Sequence, residues 1–214
     1  MRATYYRTEP FDIEFADISL SVHPRVFIPE PSTLAIIDSM TVSPEDEVLD
    51  MACATGILGI IAGLRGAKRV LLADKDADAV ANAADNITRH GLQARCEAIQ
   101  TDCFSAVPKR AFDIIYFNGP FAYTAEYDDA LREVFEYDEA PPMDSIFDAG
   151  FAILDRFFRE APAYLAPGGY IHTGFHNGSN EAAFADVITR NGFTMKERCA
   201  LPSGHLAYEL RLKD

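Results

Sequence analysis

The chain of 214 residues is long enough for one well-buried α/β domain with a small appendage, and 49% hydrophobic with 24% charged residues is an ordinary globular make-up. With 33 acids against 19 lysines and arginines the net charge is −14, which argues against a protein that grips a phosphate backbone by itself. Cys53, Cys96, Cys103 and Cys199 have no C-x-x-C spacing and do not cluster with histidine, so they read as reduced thiols rather than a disulfide framework or a metal centre. No apolar run reaches the length of a membrane span and no signal-peptide core follows Met1, so the expected location is the cytoplasm.

In chain order, apolar residues alternate over Phe11–Phe15 and again over Ile18–Val22, which predicts a two-stranded hairpin. Pro31-Ser-Thr33 then opens a helix to about Met40, with proline at its start and a Ser/Thr cap. The segment Phe27-Ile-Pro-Glu-Pro31 before it either covers the sheet or lies over a ligand.

Glu47-Val-Leu-Asp-Met51 is a buried strand, Ala52-Cys-Ala-Thr-Gly56 a small-residue turn, and a helix follows to about Leu64, closed by Gly66. A strand, a tight turn and a helix start form the arrangement that holds a nucleotide-like ligand over free helix N–H groups. Arg69–Asp74 is a second strand ending in a carboxylate, 18 residues beyond Gly56, near the spacing at which an acid reaches a ribose hydroxyl. Asp76 and Asp78 are available to cap the next helix, which is rich in alanine and asparagine and stops at His90-Gly91.

Further strands are expected at Ala94–Thr101, Phe112–Asn118 and Tyr170–Phe175, the last entered through Pro167-Gly-Gly. A long helix is expected from about Phe147 to Leu165 and another over about Ser179–Asn191, and two closing strands at Phe193–Ala200 and Leu206–Leu212. Strands alternating with helices predict a doubly wound parallel sheet of seven strands with an antiparallel C-terminal strand. Ligands bind such sheets beyond the carboxyl ends of the strands, where Ala52–Gly56, Asp74, Asp102 and Asn118 all fall. Nine acids against Arg132 crowd residues 124–148, read as a solvated face or as a lid that repels phosphate. His172 and His176 flank the end of the fifth strand, with His176 the candidate substrate contact; His23, His90 and His205 read as structural or exposed.

These motifs resemble the class I S-adenosylmethionine-dependent methyltransferases over nearly the whole chain: Asp50-Met-Ala-Cys-Ala-Thr-Gly56, Asp74, Asp102, and Leu165-Ala-Pro-Gly-Gly169. Within that class the chain is most similar to the release-factor glutamine methyltransferases and their N6-adenine relatives. Ile28-Pro-Glu-Pro-Ser-Thr33 matches their Ile-Pro-Arg-Pro-Glu-Thr, Asn118-Gly-Pro-Phe121 their Asn-Pro-Pro-Tyr, and Asp148-Ala-Gly150 their Asp-Gly step. The resemblance implies a Rossmann-like methyltransferase domain over 30–214 behind a hairpin extension over 1–29. It implies S-adenosylmethionine as cofactor, held by Asp50, Ala52, Cys53, Ala54, Gly56, Asp74, Lys75, Asp102, Cys103 and Asn118, with no metal. Ala52–Gly56 would line the methionine moiety, Asp74 the ribose and Asp102 the adenine.

Catalysis would fall to Asn118, Gly119, Pro120 and Phe121. An amide or aromatic amine nitrogen is planar and a poor nucleophile. The Asn118 side-chain oxygen and the Gly119 carbonyl could take its two hydrogens and stabilise the positive charge of attack, with Phe121 stacked on the planar group. The chain departs from the family pattern where Ala52 and Ala54 stand for glycine, Gly119 for proline and Phe121 for tyrosine.

The expected function is therefore methyl transfer to a planar nitrogen of a protein side chain or small molecule. The alternatives are an inactive methyltransferase fold serving as a protein-binding module, and a nucleic-acid adenine or guanine methyltransferase that needs a partner. A nicotinamide oxidoreductase is disfavoured because the loop is not G-x-G-x-x-G. The release-factor enzymes dock their substrate with an N-terminal helical domain where this chain has the hairpin, and their shorter relatives use a small activating partner protein. The acidity argues against direct nucleic-acid binding.

Overall fold

A computed structural model describes residues 9–120, 122–124, 147–176 and 180–213. Strands β1 (Phe11–Phe15) and β2 (Ile18–Val22) pair antiparallel with Phe15 opposite Ile18. Ala16 and Asp17 turn between them at φ 51° and 60°, the two left-handed residues that a two-residue hairpin of natural twist demands. Leu20 and Val22 are buried, so one face of this hairpin is part of the core.

Helix α1 (Pro31–Ser39) leads to β3 (Glu47–Met51), α2 (Ile57–Leu64), β4 (Arg69–Asp74), α3 (Ala77–Arg89), β5 (Cys96–Gln100) and β6 (Phe112–Phe117). A short parallel pair, β7 (Ala122–Thr124) and β8 (Phe147–Ala149), precedes α4 (Ala152–Glu160) and a 3₁₀ turn at Ala161–Tyr164. Then come β9 (Leu165–His176), α5 (Glu181–Arg190), β10 (Phe193–Ala200) and β11 (His205–Leu212). The central sheet has the order β10-β11-β9-β6-β3-β4-β5. Strands β3, β4, β5, β6 and β9 are parallel, and β11 runs antiparallel between β9 and β10.

Successive strand residues point to opposite faces, and both faces are covered. Leu49, Leu71, Ile115 and Ile171 pack with Phe157 and Phe158 of α4 and Phe184 of α5. Val48, Val70, Leu72 and Ile114 pack with Ile36 of α1, Ile60 of α2 and Ala83 of α3. The chain winds outward through β4 and β5 on one side of β3 and through β6 and β9 on the other. The order therefore reverses between β3 and β6, and the carboxyl edge beside such a switch point is where open sheets of this kind bind ligands. No helix of the described residues is long and apolar enough to cross a membrane.

The doubly wound sheet and the leading hairpin are as the sequence predicts, and four local features differ. The long helix expected from Phe147 is split. Gly150 and Phe151 have φ 61° and 56°, and the buried Asp148 carboxylate accepts the N–H groups of Ile153 (2.9 Å) and Leu154 (2.8 Å), which starts the helix afresh at Ala152. Strand β9 begins at Leu165, and Pro167-Gly-Gly lies inside it, where the pairing with β6 shifts register between Phe112 and Ile114. Helix α1 has no side-chain cap: Glu30 is its N-cap residue, and Thr33 is turned elsewhere. His172 sits well inside β9, opposite Tyr116, as a buried imidazole 3.0 Å from Ser39 Oγ, and burial pushes its pKa down to about 4. The acidic run at 125–146 lies outside the described residues.

Candidate active site at the carboxyl edge of the sheet

The turn after β3 is built by backbone conformation. Ala52, Ala54 and Gly56 have φ 58°, 47° and 81°. A left-handed conformation costs a non-glycine residue about 1–2 kcal/mol, so the surroundings must hold the turn in place. Cys53 N–H donates to the Ala73 carbonyl at 3.1 Å and Gly56 N–H to the Cys53 carbonyl at 2.7 Å. Ala54 N–H donates to Asp74 Oδ2 at 3.0 Å, tying the turn to the end of β4. The other Asp74 oxygen accepts the N–H of Asp76 (3.0 Å), and Asp76 itself caps α3 by accepting the N–H of Asp78.

Alanine is thus accommodated at both positions where the family pattern has glycine. Ala54→Gly should relieve more backbone strain than glycine loses in chain entropy, roughly 0.5–1 kcal/mol net, and raise the melting temperature by about 2 °C. Thermal denaturation monitored by circular dichroism checks this; a fall would show that the Ala54 methyl contributes packing that outweighs the strain.

Asp50 is fully buried beneath the turn, and its Oδ2 accepts Gly59 N–H at 2.8 Å. Burial raises its pKa to about 7 against the opposing pull of that N–H, and the Asp74 charge adds to the rise. Asp74 is shifted in the same direction, also by burial. Peptide N–H groups of the described residues hold both carboxylates. Such a pair suits a ligand that brings a cationic centre and hydroxyl donors.

Because the folded pKa of Asp50 lies above its unfolded value of 3.8, the folded state binds the extra proton between the two. Its contribution to stability is fully present below about pH 4 and is lost as pH rises through about 7. In Asp50→Asn, which keeps an oxygen for Gly59, the gain over the parent should grow by up to about 1.4 kcal/mol per pH unit across that window. Urea titrations at pH 5 and pH 8 measure it, and a gain independent of pH would contradict the assignment.

Beyond β5, Asp102 is exposed, and its carboxylate pairs with Arg156 Nη1 of α4 at 2.8 Å. Arg156 also donates to the Asp102 carbonyl at 3.2 Å and to Glu160 at 3.0 Å, so α4 fixes this corner. Cys103 takes φ 52°, and burial pushes its thiol up to about 12. Lys75 follows β4 directly at the same edge.

Met51 pairs with Phe117, which places Ala52 and Asn118 side by side where β3 and β6 leave the sheet. Asn118 Nδ2 donates to Thr33 Oγ1 at 3.0 Å, and Thr33 is buried in the first turn of α1. A Cβ at Gly174 would fall 2.8 Å from Asn118 Oδ1, so the bare glycine backbone of β9 is what lets the amide lie there. The Phe117 carbonyl accepts Thr173 Oγ1 at 2.7 Å, and its ring stacks on Phe157 at 3.9 Å between centroids. A Cβ at Gly119 would come within 2.5 Å of the Phe117 ring, which accounts for glycine where the family pattern has proline. Pro120 is buried, and Phe121 lies outside the described residues. His176 is the last residue of β9.

The structure therefore brings Asp50, Ala52–Gly56, Asp74 and Asn118–Pro120 to the carboxyl ends of the neighbouring strands β3, β4 and β6, with Lys75, Asp102 and Cys103 on the β4–β5 side. Sequence reasoning missed Thr33 and Arg156. The signal for Thr33 was a hydroxyl in a helix's first turn that the helix does not need, since proline already starts it.

Residues 29–140 match the family model described as methyltransferase small domain. The release factor glutamine methyltransferase of Shewanella oneidensis is 32% identical over 200 residues, covering 88% of this chain and 69% of that protein. The ribosomal protein uL3 glutamine methyltransferase of Bordetella pertussis is 32% identical, covering 66% of this chain and 48% of its own length. Among solved structures, the Thermus thermophilus 16S rRNA N2 G1207 methyltransferase in complex with AdoMet and guanosine superposes with a TM-score of 0.67 at 18% identity, covering 96% of this chain and 50% of that one. The ribosomal protein L11 methylase of Lactobacillus delbrueckii superposes with 0.63 at 17% identity, covering 90% and 84%. At those identities the structures speak to the fold alone. The chain belongs to the methyltransferase small domain family and is an S-adenosylmethionine-dependent N-methyltransferase.

Proposed function

We propose that the protein methylates the side-chain amide nitrogen of a glutamine in a protein of the translation apparatus, acting in the cytoplasm. Residues 30–214 form its catalytic domain and 1–29 an extension of it. The observation that carries this reading is the Asn118 amide, clamped between Thr33 and Gly174 beside Ala52 at the sheet's switch point. The names of the relatives, which act on release factor and ribosomal protein uL3, support the choice of acceptor.

S-adenosylmethionine supplies an electrophilic methyl on a sulfonium. The chain's own task is to present a planar nitrogen to it. With Nδ2 engaged by Thr33, the Asn118 amide keeps Oδ1 for a substrate N–H, and the Gly119 carbonyl takes the second. Two preorganised acceptors hold the amide plane and stabilise positive charge on the nitrogen as it forms its bond to carbon and the carbon–sulfur bond breaks. The nitrogen's proton then leaves to water. No strong base is required. Asp74 receives the ribose hydroxyls through the acceptor capacity that the N–H groups of Ala54, Asp76 and Lys75 leave open. Ala52, Cys53, Ala54 and Gly56 line the methionine portion over the buried Asp50, and Lys75, Asp102 and Cys103 border the adenine.

The test is transfer of radiolabelled methyl from S-adenosylmethionine to purified release factor and uL3, each with and without a small activating protein partner, and to ribosomal RNA. Label on protein supports the reading. Label on RNA alone overturns it.

A further inference from the structure

Helix α3 carries two asparagines one turn apart, Asn82 and Asn86, both with no exposed surface. Fully buried amides are rare unless every group is matched, and Asn86 is matched with some economy. Its Oδ1 accepts Ser21 N–H at 2.8 Å and its Nδ2 donates to the Ser21 carbonyl at 2.8 Å, so one side chain pairs with β2 as a neighbouring strand would. The other Nδ2 hydrogen reaches the Thr55 carbonyl at 3.0 Å. Turning the amide over would set its oxygen against two carbonyls and its NH₂ against an N–H, so the orientation is fixed by its partners. Asn82 also holds the hairpin, donating to the Ser21 carbonyl at 2.8 Å and accepting His23 N–H at 2.9 Å. Among the described residues it makes no bond to the turn.

Thr55 stands between Ala54 and Gly56, the two left-handed residues that end the turn after β3. A strained turn keeps its shape only where outside bonds determine it. Ala54 is held from β4 by Asp74, and Thr55 from α3 by Asn86. The rest of the same α3 face also grips the hairpin: His23 pairs with Asp85 at 2.9 Å, Arg89 with Asp12 at 2.7 Å, and His90 Nε2 lies 2.9 Å from the Ser19 carbonyl.

We propose that Asn86 is a positioning residue for the cofactor turn, and that through it the hairpin β1–β2 is a working part of the cofactor site. The inference rests on the reading of Ala52–Gly56 as the turn that lines the cofactor. It has a reciprocal consequence: a hairpin docked on Asn86 favours the binding conformation of the turn, and a bound cofactor tightens the hairpin's hold.

The test is isothermal titration of the full chain with S-adenosylhomocysteine, the demethylated product, alongside thermal melts. Asn86→Ala and Asn86→Asp both remove the donor to Thr55 and should weaken binding by about tenfold. Asn82→Ala loses hairpin bonds of the same kind but keeps the Asn86 bond to Thr55, so it should lower the melting temperature comparably while weakening binding by no more than about twofold, through the looser hairpin alone. Equal losses in the Asn82 and Asn86 variants, or none in the Asn86 variants, would overturn the inference.

Hydrogen exchange on the unmutated chain gives a second reading should an Asn86 variant not fold. The Ser21 amide should exchange more slowly when S-adenosylhomocysteine is added, and an unchanged rate counts against the coupling. Failure of the unmutated chain to bind S-adenosylhomocysteine would instead overturn the reading of the turn itself, and this inference with it.

Discussion

Replacing Asn118 with alanine should lower the rate of methyl transfer by about 10²–10³-fold while leaving the dissociation constant for S-adenosylmethionine within about twofold of the parent. The asymmetry follows from what the side chain can do. Its Nδ2 donates to Thr33, and in the proposed mechanism its oxygen accepts from the acceptor nitrogen, on which charge develops only during transfer. An acceptor that strengthens its hold as charge develops acts on the transition state and little on ground-state binding. Single-turnover kinetics with the methyl acceptor, set beside calorimetry with the cofactor, separates the two. A loss confined to cofactor affinity would mean that Asn118 is a binding residue and that the two-acceptor account is wrong.

The second large effect is expected at Asp74. Its oxygens already receive Ala54 N–H and Asp76 N–H, so the carboxylate shapes the turn and the proposed ribose contact together. Asp74→Ala removes both functions, and two charge-assisted bonds of about 1.5–3 kcal/mol each predict at least a 100-fold loss of cofactor affinity. Asp74→Asn keeps an oxygen for Ala54 N–H and should fall between that variant and the parent. Burial raises the Asp74 carboxyl's pKa, so its charge costs the fold stability rather than adding to it. Calorimetric titration of both variants, with melts as a control, checks the ranking. Equal affinity for Asp74→Ala and the parent would remove Asp74 from the site.

How much of this was legible in the sequence depended on how local the cause was. Strand β4 runs from Arg69 to Asp74 as expected, because a short apolar run between a charged start and an acidic end admits little else. The carboxyl-edge residues were legible for the same reason: each follows a clear strand, and a parallel sheet sends every such end to one side. The helix expected from Phe147 failed because apolar spacing cannot show that Asp148 takes the N–H groups of Ile153 and Leu154. Thr33 read as a cap because a hydroxyl beside a helix-starting proline usually is one. Its actual partner, Asn118, is 85 residues away. Asn82 and Asn86 share a helix face with Ala79, Ala83 and Ile87, but asparagine is a residue that ordinarily faces water. The hairpin that buries them belongs to a different stretch of chain, 59 to 65 residues earlier.

The most direct test of the central claim is tandem mass spectrometry of a release factor and a uL3 protein after incubation with the purified enzyme and S-adenosylmethionine. The account predicts a single added methyl, located by fragment ions on the side-chain nitrogen of one glutamine and missing when the enzyme carries Asn118→Ala. A methyl found on a carboxylate, a lysine or a backbone position would contradict it.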